Sequence, residues 1–183
     1  MTALHVSLDL ETLGLRPGST IISIGAVAFM SFGVFHGHPF YRVISRASCR
    51  DAGFVEDPAT LDWWCDQAGD AVEILDEASG KSAQPIATVL HDFAEWWSVL
   101  APAPEGIWSL GADFDLPLLA EAYRRCGFSA PPWPYNRGRC LRTLSALAPT
   151  AARARPKVAH NALDDATAQA ETAAACLRAL GAS

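Results

Sequence analysis

Short apolar runs in the first quarter of the chain predict β-strands, and longer segments further on predict helices. Runs of apolar and β-branched residues bounded by Gly, Ser or Pro are typical of strands. Strands are predicted over residues 4–10, 20–30, 33–45 and 107–110. Helices are predicted over residues 58–67, 85–100, 115–126, 143–148 and 163–180. Three strands, a set of helices and then strand–helix alternation indicate a mixed α/β sandwich in a single domain, residues 1–183.

Length and composition fit one soluble globular domain. The chain has 183 residues, of which 50% are hydrophobic and 19% are charged, and its mean hydropathy is +0.13. No apolar run approaches the ~18–20 residues that span a bilayer, and the N-terminus lacks the basic and apolar segments of a signal peptide. We therefore expect no association with a membrane.

The cysteines argue for a reducing compartment. There are five, an odd number, and none of them forms a C-x-x-C pair. This pattern argues against both a disulfide framework and a structural zinc site. The expected location is the cytoplasm.

Charge is distributed unevenly along the chain. The net charge is −6, which taken alone argues against a nucleic-acid partner. Residues 124–157, however, contain eight of the 14 basic residues and no Asp or Glu, so all 20 acids face only six basic residues elsewhere. This segment is either solvated surface or a positive edge for nucleic acid. Its last three cations, called the basic loop below, are Arg153, Arg155 and Lys157.

Two acids at the end of the first strand raise a physical question. Asp9 and Glu11 stand one residue apart, so in a strand their carboxylates leave the sheet on the same side and repel each other. A cation between them would remove that repulsion. Two further acidic segments follow, GADFDLPLL at residues 111–119 and HNALDDA at residues 160–166. Acids are common at helix starts, so only the order of all three segments carries weight.

That order resembles the DEDDh family of 3′→5′ exonucleases, which share an RNase H-like fold. The family motifs are D-x-E-T, a second motif ending in F-D, and H-x-x-x-x-D. In this chain they correspond to Asp9, Glu11 and Thr12, to Phe114 and Asp115, and to His160 and Asp165. Asp113 and Asp164 are then neighbours of the motif acids. Asn161 stands where the tyrosine branch of the superfamily has Tyr, which excludes that branch.

Two more segments are similar to a bacterial and phage subgroup of exoribonucleases and exodeoxyribonuclease VIII-like proteins. They are DPATLDWWCDQ at residues 57–67 and RCLRTL at residues 139–144. Cys140 departs from the subgroup, which tends to have Asp there, and this puts in doubt a supporting ion pair near Arg142. The resemblance covers nearly the whole chain and implies a mixed five-stranded sheet flanked by helices.

The resemblance implies a catalytic site with two divalent ions, Mg²⁺ or Mn²⁺. Two ions ~3.5–4 Å apart can activate a water, clamp a phosphate and stabilise the leaving 3′ oxygen. Such hard ions prefer carboxylate oxygens. Asp9 is the expected bridging ligand, with Glu11, Asp115 and Asp165 as further ligands and His160 as general base. The expected products are nucleoside 5′-monophosphates.

The substrate contacts expected from the resemblance lie beside these acids. Trp63 and Trp64 are adjacent, so on a helix they point ~100° apart and only one can lie in a given core. The other can stack on a base. The predicted contact set is Thr12, Leu13, Trp64, Phe114, Arg155 and Lys157. The expected partners are 3′ ends of single-stranded RNA or DNA, and a homodimer is one expected state because similar enzymes often dimerise.

Three other functions are compatible with parts of this pattern. A DNA-specific 3′→5′ exodeoxyribonuclease would use the same acids, although RNA is favoured as the substrate. A silent nucleic-acid-binding module would have lost some of the five catalytic residues, all of which are present here. A zinc hydrolase using His160 would need more than one His ligand.

Overall fold

The computed structural model describes residues 3–67 and 70–181, which form six strands and seven helices. The strands are β1 (His5–Thr12), β2 (Ile21–Met30), β3 (Gly33–Val34), β4 (Phe40–Val43), β5 (Gly106–Ser109) and β6 (Gly138–Cys140). The helices are α1 (Arg46–Asp51), α2 (Pro58–Cys65), α3 (Asp70–Ser79), α4 (Ile86–Ser98), α5 (Asp115–Arg125), α6 (Leu141–Leu147) and α7 (Ala162–Ala179). None of these helices is both long and apolar enough to cross a membrane.

The six strands form one mixed sheet in the order β3-β2-β1-β5-β6, with β4 also paired to β2. β1 pairs antiparallel with β2 and parallel with β5, and β5 pairs parallel with β6. The predicted mixed α/β architecture is therefore confirmed. β1 is central and carries the first pair of acids.

The predicted strand over residues 33–45 is interrupted. β3 pairs with the end of β2 and β4 pairs with its middle, so both lie along the same edge of β2. Between them lie Gly37 and Pro39, residue types that weaken or end a strand. Six strands therefore fill five positions of the sheet.

Three elements were not predicted. β6 is only three residues long and is exposed or half-buried, so it has no apolar run. α1 has six residues and only one that is buried, Cys49. Short elements of this kind are specified by their tertiary contacts rather than by local periodicity. α3 is different, because Ile74, Leu75 and Ala78 form a buried face at helical spacing, and that signal was present in the sequence.

Helices cover both faces of the sheet, and the side chains of β1 point alternately to one face and the other. Val6, Leu8 and Leu10 lie in the core formed with α4 and α5. A second core joins β2 and β5 to α6 and α7. Because side chains alternate along a strand, Asp9 and Glu11 point to the opposite face from Leu8 and Leu10, toward α7.

Gly25 of β2 allows α7 to approach the sheet at this point. Gly25 pairs with Asp9 in the β1–β2 register. A Cβ atom at Gly25 would overlap the backbone of Ala162 and Leu163 in the first turn of α7. The first turn of α7 is thus held against the strand pair that carries the acids.

Candidate active site

Three carboxylates from β1 and α7 meet at one end of the sheet. Asp9 and Glu11 come from the second half of β1, and Asp165 comes from the first turn of α7. Each can place one oxygen within 4.8 Å of the other two. The side chain of Asn161 caps α7 by accepting from the backbone N–H groups of Leu163 and Asp164, which fixes where the helix begins.

Asp115 completes the acidic site from the start of α5. Its side chain is buried, with 4% of the residue exposed, whereas Asp113 two residues earlier is exposed. Asp115 is not one of the three acids within 4.8 Å, but its charge acts directly on Asp9. Burial raises the pKa of Asp115 to about 6, although backbone amides and Arg142 act in the opposite direction.

Burial and mutual repulsion make these acids hard to ionise together. Burial, followed by the charges of Asp115, Glu11 and Asp165, raises the pKa of Asp9 well above its ordinary range. Burial, followed by Asp165 and Asp115, raises the pKa of Glu11 to about 8. Burial also raises the pKa of Asp165. In the part of the chain that the structure describes, no Lys or Arg forms an ion pair with any of the four.

The donor set fits hard divalent cations. All four acids offer carboxylate oxygens, which Mg²⁺ and Mn²⁺ prefer, and the site includes no thiol. Buried carboxylates that lack a positive partner are stable when they coordinate metal. Asp9, Glu11 and Asp165 are the best-placed ligands, with Asp115 beside them.

His160 adjoins this cluster in a constrained conformation. Its φ is +63°, in the left-handed region that non-glycine residues rarely adopt. Its backbone N–H donates to Oδ2 of Asp165 at 3.0 Å. Its ring lies edge-on to Trp63 and Trp64, with centroid distances of 5.1 and 5.9 Å. The backbone and two aromatic rings therefore hold the imidazole beside the acids.

Gln169 also belongs to the site, although the sequence analysis did not select it. Its side-chain amide donates to Oδ1 of Asp9 at 2.7 Å. Gln169 lies one helical turn after Asp165, so both residues lie on the same face of α7. That i, i+4 spacing was the available signal. The second missed residue is Gly25, and a lone Gly inside a strand pattern indicates close backbone approach.

The structure revises two of the predicted substrate contacts. Trp64 is only 2% exposed and its indole N–H donates to the carbonyl of Thr12 at 3.0 Å, so its rings belong to the core. Trp63 is 43% exposed and offers the accessible aromatic face. Leu13 is fully buried, whereas Leu15 in the same turn is 72% exposed. Both revisions follow from how α2 and the turn after β1 pack on the sheet.

Thr12 and Phe114 lie beside the acids as predicted but are not freely accessible. Thr12 is 7% exposed, and its hydroxyl donates to the carbonyl of Gly14 at 2.9 Å. Phe114 is half-buried, precedes α5 and packs against the core. Each can offer only part of its surface to a substrate.

An apolar cavity of about 400 Å³ is lined by Thr12, the residue after Glu11, and by the two tryptophans whose rings contact His160. It lies between the turn after β1 and helix α2, and its exposed walls are Leu15 and Trp63. The complete lining is Thr12, Leu15, Asp57, Ala59, Thr60, Trp63 and Trp64. It is referred to below as the apolar cavity.

The basic segment of the sequence is not one surface. Arg124 and Arg125 form ion pairs with Glu121. Arg137 and Arg139 donate to backbone carbonyls. Two cations of the basic loop instead line a cavity.

Arg155 and Lys157 of the basic loop line a cavity of about 360 Å³ on the other side of the start of α7. His36 and Asp164 line the same cavity. These two cations therefore lie beside the helix that carries Asp165.

Comparison with known proteins places this geometry in a family. A search of curated protein sequences finds no significant match. Among solved structures, E. coli exonuclease I in complex with a dT13 oligonucleotide is similar, with a TM-score of 0.71, 14% identity, and coverage of 98% of this chain and 42% of that chain. The zinc-bound form of the E. coli ExoI–ssDNA complex has a TM-score of 0.70 and 14% identity, with coverage of 96% of this chain and 41% of that chain. A structure described as apo exonuclease I has a TM-score of 0.67 and 13% identity, with coverage of 97% of this chain and 42% of that chain.

These likenesses establish the fold. The chain spans about two fifths of the length of the exonuclease I chains it matches. The predicted RNase H-like architecture is confirmed by this similarity. A family model described as the 3′-5′ exoribonuclease Rv2179c-like domain matches residues 4–177, nearly the whole chain. The resemblance to 3′→5′ exonucleases is thereby confirmed, and the chain belongs to the Rv2179c-like 3′-5′ exoribonuclease domain family.

Proposed function

We propose that this protein is a metal-dependent exonuclease that removes nucleoside 5′-monophosphates from the 3′ end of single-stranded RNA. The observation that carries the proposal is the group of four acids, the buried Glu11 and Asp115 and the half-buried Asp9 and Asp165, together with His160 and the apolar cavity lined by Trp63. The family description supports RNA as the substrate. The exonuclease I structures contain DNA oligonucleotides, which makes single-stranded DNA the competing substrate.

Each side chain of the site has a role in this proposal. When bound, two divalent ions supply charge neutralisation at the phosphate and a water with a lowered pKa. The negative charges of Glu11 and Asp115 both act on Asp9, which is the proposed bridging ligand. Glu11, Asp115 and Asp165 are the proposed remaining ligands. The amide of Gln169 orients Asp9 through its hydrogen bond to Oδ1.

His160 is the proposed general base. It would accept the proton of the attacking water, a role that suits an imidazole near neutral pH. The hydrogen bond from its backbone to Asp165 keeps it next to a ligand of the metal site. Its edge contact with Trp63, which lines the apolar cavity, supports a role for His160 next to the proposed binding site of the terminal nucleotide.

The first test separates nuclease activity from binding alone. Matched 5′-labelled RNA and DNA oligomers, single-stranded and with 3′ overhangs, are incubated with Mg²⁺ or Mn²⁺ or with EDTA. We expect a ladder shortened from the 3′ end, faster on RNA, and no cleavage in EDTA. A 3′-phosphate should block the reaction, and cleavage of a circular single strand would contradict an exonuclease. Binding without turnover under all conditions would indicate a silent module.

Paired substitutions test the acid assignment. Asp115→Asn should abolish turnover because the carboxylate is buried in the site, while Asp113→Asn should not, because Asp113 is exposed. Asp9→Ala should also abolish turnover, with the fold intact or slightly more stable without metal, since it removes the most crowded charge. Substantial residual activity of Asp9→Ala would show that the metal assignment is wrong.

A further inference from the structure

The apolar cavity has walls suited to a planar ring. Leu15 and Trp63 both line it, and they are 72% and 43% exposed. A base that stacks on an exposed aromatic face gains affinity whatever its identity, because every base has a π-face. Such walls can accept a terminal nucleobase without discriminating among bases.

The acid at the rim of the cavity is Asp57. Its backbone is held in place, since its N–H donates to the carbonyl of Leu13 at 2.7 Å. Asp57 occupies the N-cap position of α2, where Asp normally accepts from the first backbone N–H groups of the helix. Its side chain makes no such capping bond, and accepts instead from the hydroxyl of Thr60 at 2.8 Å.

The carboxylate of Asp57 is available to a ligand. Among the described residues, no Lys, Arg or His forms an ion pair with it. A carboxylate is an acceptor with several lone pairs, so one hydrogen bond from Thr60 leaves capacity for another donor. Asp57 is thus a hydrogen-bond acceptor at the edge of a cavity whose other walls are largely apolar.

The nucleobases differ in what they would offer this acceptor. Adenine and cytosine carry exocyclic amino groups, N6 and N4, that donate, whereas guanine and uracil present carbonyl oxygens, O6 and O4, at the corresponding position. A carboxylate accepts from the amino group of cytosine and is repelled by a carbonyl oxygen. An acceptor facing this edge of the base therefore favours cytosine and adenine over uracil and guanine.

We infer that Asp57 is a specificity-determining residue, which selects a 3′-terminal nucleotide whose base is cytosine or adenine, with a donating amino group at C4 or C6. This inference rests on the proposed nuclease function and deepens it. Asp57 lies outside the group of metal ligands, so its replacement should change which terminal nucleotide is removed fastest rather than whether hydrolysis occurs.

The test uses four RNA oligomers that differ only in the 3′-terminal nucleotide, A, C, G or U. Removal of that nucleotide is followed in single-turnover reactions at subsaturating enzyme. Wild-type protein should remove C and A at least about fivefold faster than U and G, the lower end of what one polar contact to a base edge gives. Asp57→Asn should bring the four rates together, because an amide can donate to the carbonyl of uracil as well as accept from an amino group.

Asp62→Asn is the matched control, since Asp62 is an exposed acid on the same helix that does not line the cavity. It should retain the wild-type ratios. Equal rates for U and C in the wild type, or unchanged ratios in Asp57→Asn, would overturn the inference while leaving the nuclease function standing. Absence of turnover on all four substrates would overturn the proposed function.

A binding measurement provides a readout that does not depend on turnover. Titration calorimetry with CMP and UMP should show tighter binding of CMP to the wild type, and a loss of that difference in Asp57→Asn. Thermal unfolding of Asp57→Asn should match the wild type, because the side chain makes no capping bond to α2. A CMP preference that persists in this variant would assign the selectivity to another residue and overturn the inference.

Discussion

Glu11→Gln removes one buried carboxylate from the group of four acids, so it should change how the stability of the metal-free protein depends on pH. Glu11 is 8% exposed, and burial and then Asp165 and Asp115 raise its pKa from 4.5 to about 8. Between about pH 4.5 and 8, a carboxyl group with such a raised pKa binds more protons in the folded state than in the unfolded state. The free energy of unfolding therefore falls as pH rises through this window.

The magnitude follows from the shift. One pKa unit corresponds to about 1.4 kcal/mol, so Glu11 alone can lower the stability of the metal-free protein by up to about 5 kcal/mol between about pH 4.5 and 8. This is comparable to the whole stability of a marginal domain, ~5–15 kcal/mol. Glutamine keeps the shape of the side chain without the charge. The variant should therefore be the more stable protein at high pH and gain little near pH 4.5.

The assay is urea unfolding in EDTA, followed by tryptophan fluorescence, at about pH 5, 7 and 8.5. The difference in unfolding free energy between Glu11→Gln and wild type should grow with pH by several kcal/mol. Glu95→Gln is the control, because Glu95 is an exposed glutamate on α4. Parallel pH curves for Glu11→Gln and wild type would refute the reasoning. Added Mn²⁺ should stabilise the wild type by ~2.7 kcal/mol at 100 times its Kd, and the variant by less.

Three further variants, two single substitutions and one triple replacement, test the position of α7 and the residues around it. Gly25→Ala should destabilise the fold by ~1–3 kcal/mol and lower kcat about 100-fold, because its Cβ would displace the first turn of α7. Gly33→Ala is the control and should do neither, because a Cβ at Gly33 would point into open space. His160→Ala should lower kcat by ~10²–10⁴-fold with metal affinity, measured by calorimetry, little changed; loss of metal binding would make His160 a ligand. Replacing the three cations of the basic loop by Gln should weaken RNA binding and reduce its salt dependence by about 0.7 per lost phosphate contact with kcat unchanged; an unaltered salt slope in binding titrations would assign them to solvated surface.

The sequence alone determined the features that depend on local order. The D-x-E-T spacing places Asp9 and Glu11 on one face of a strand, because side chains alternate along it. The periodicity of residues 85–100 predicted α4 to within two residues at each end. Both signals come from residues that are neighbours in the chain, so they can be read without knowing which strands or helices pack against them.

The tertiary structure alone decided which neighbouring side chain faces the substrate. Trp63 and Trp64 are equivalent in the sequence, and so are Leu13 and Leu15; only the rotation of α2 and the path of the turn after β1 leave Trp63 and Leu15 exposed. The bond from Gln169 to Asp9 joins residues 160 positions apart. A contact of that separation exists only when α7 packs on the sheet. Local periodicity carries no information about how two elements meet.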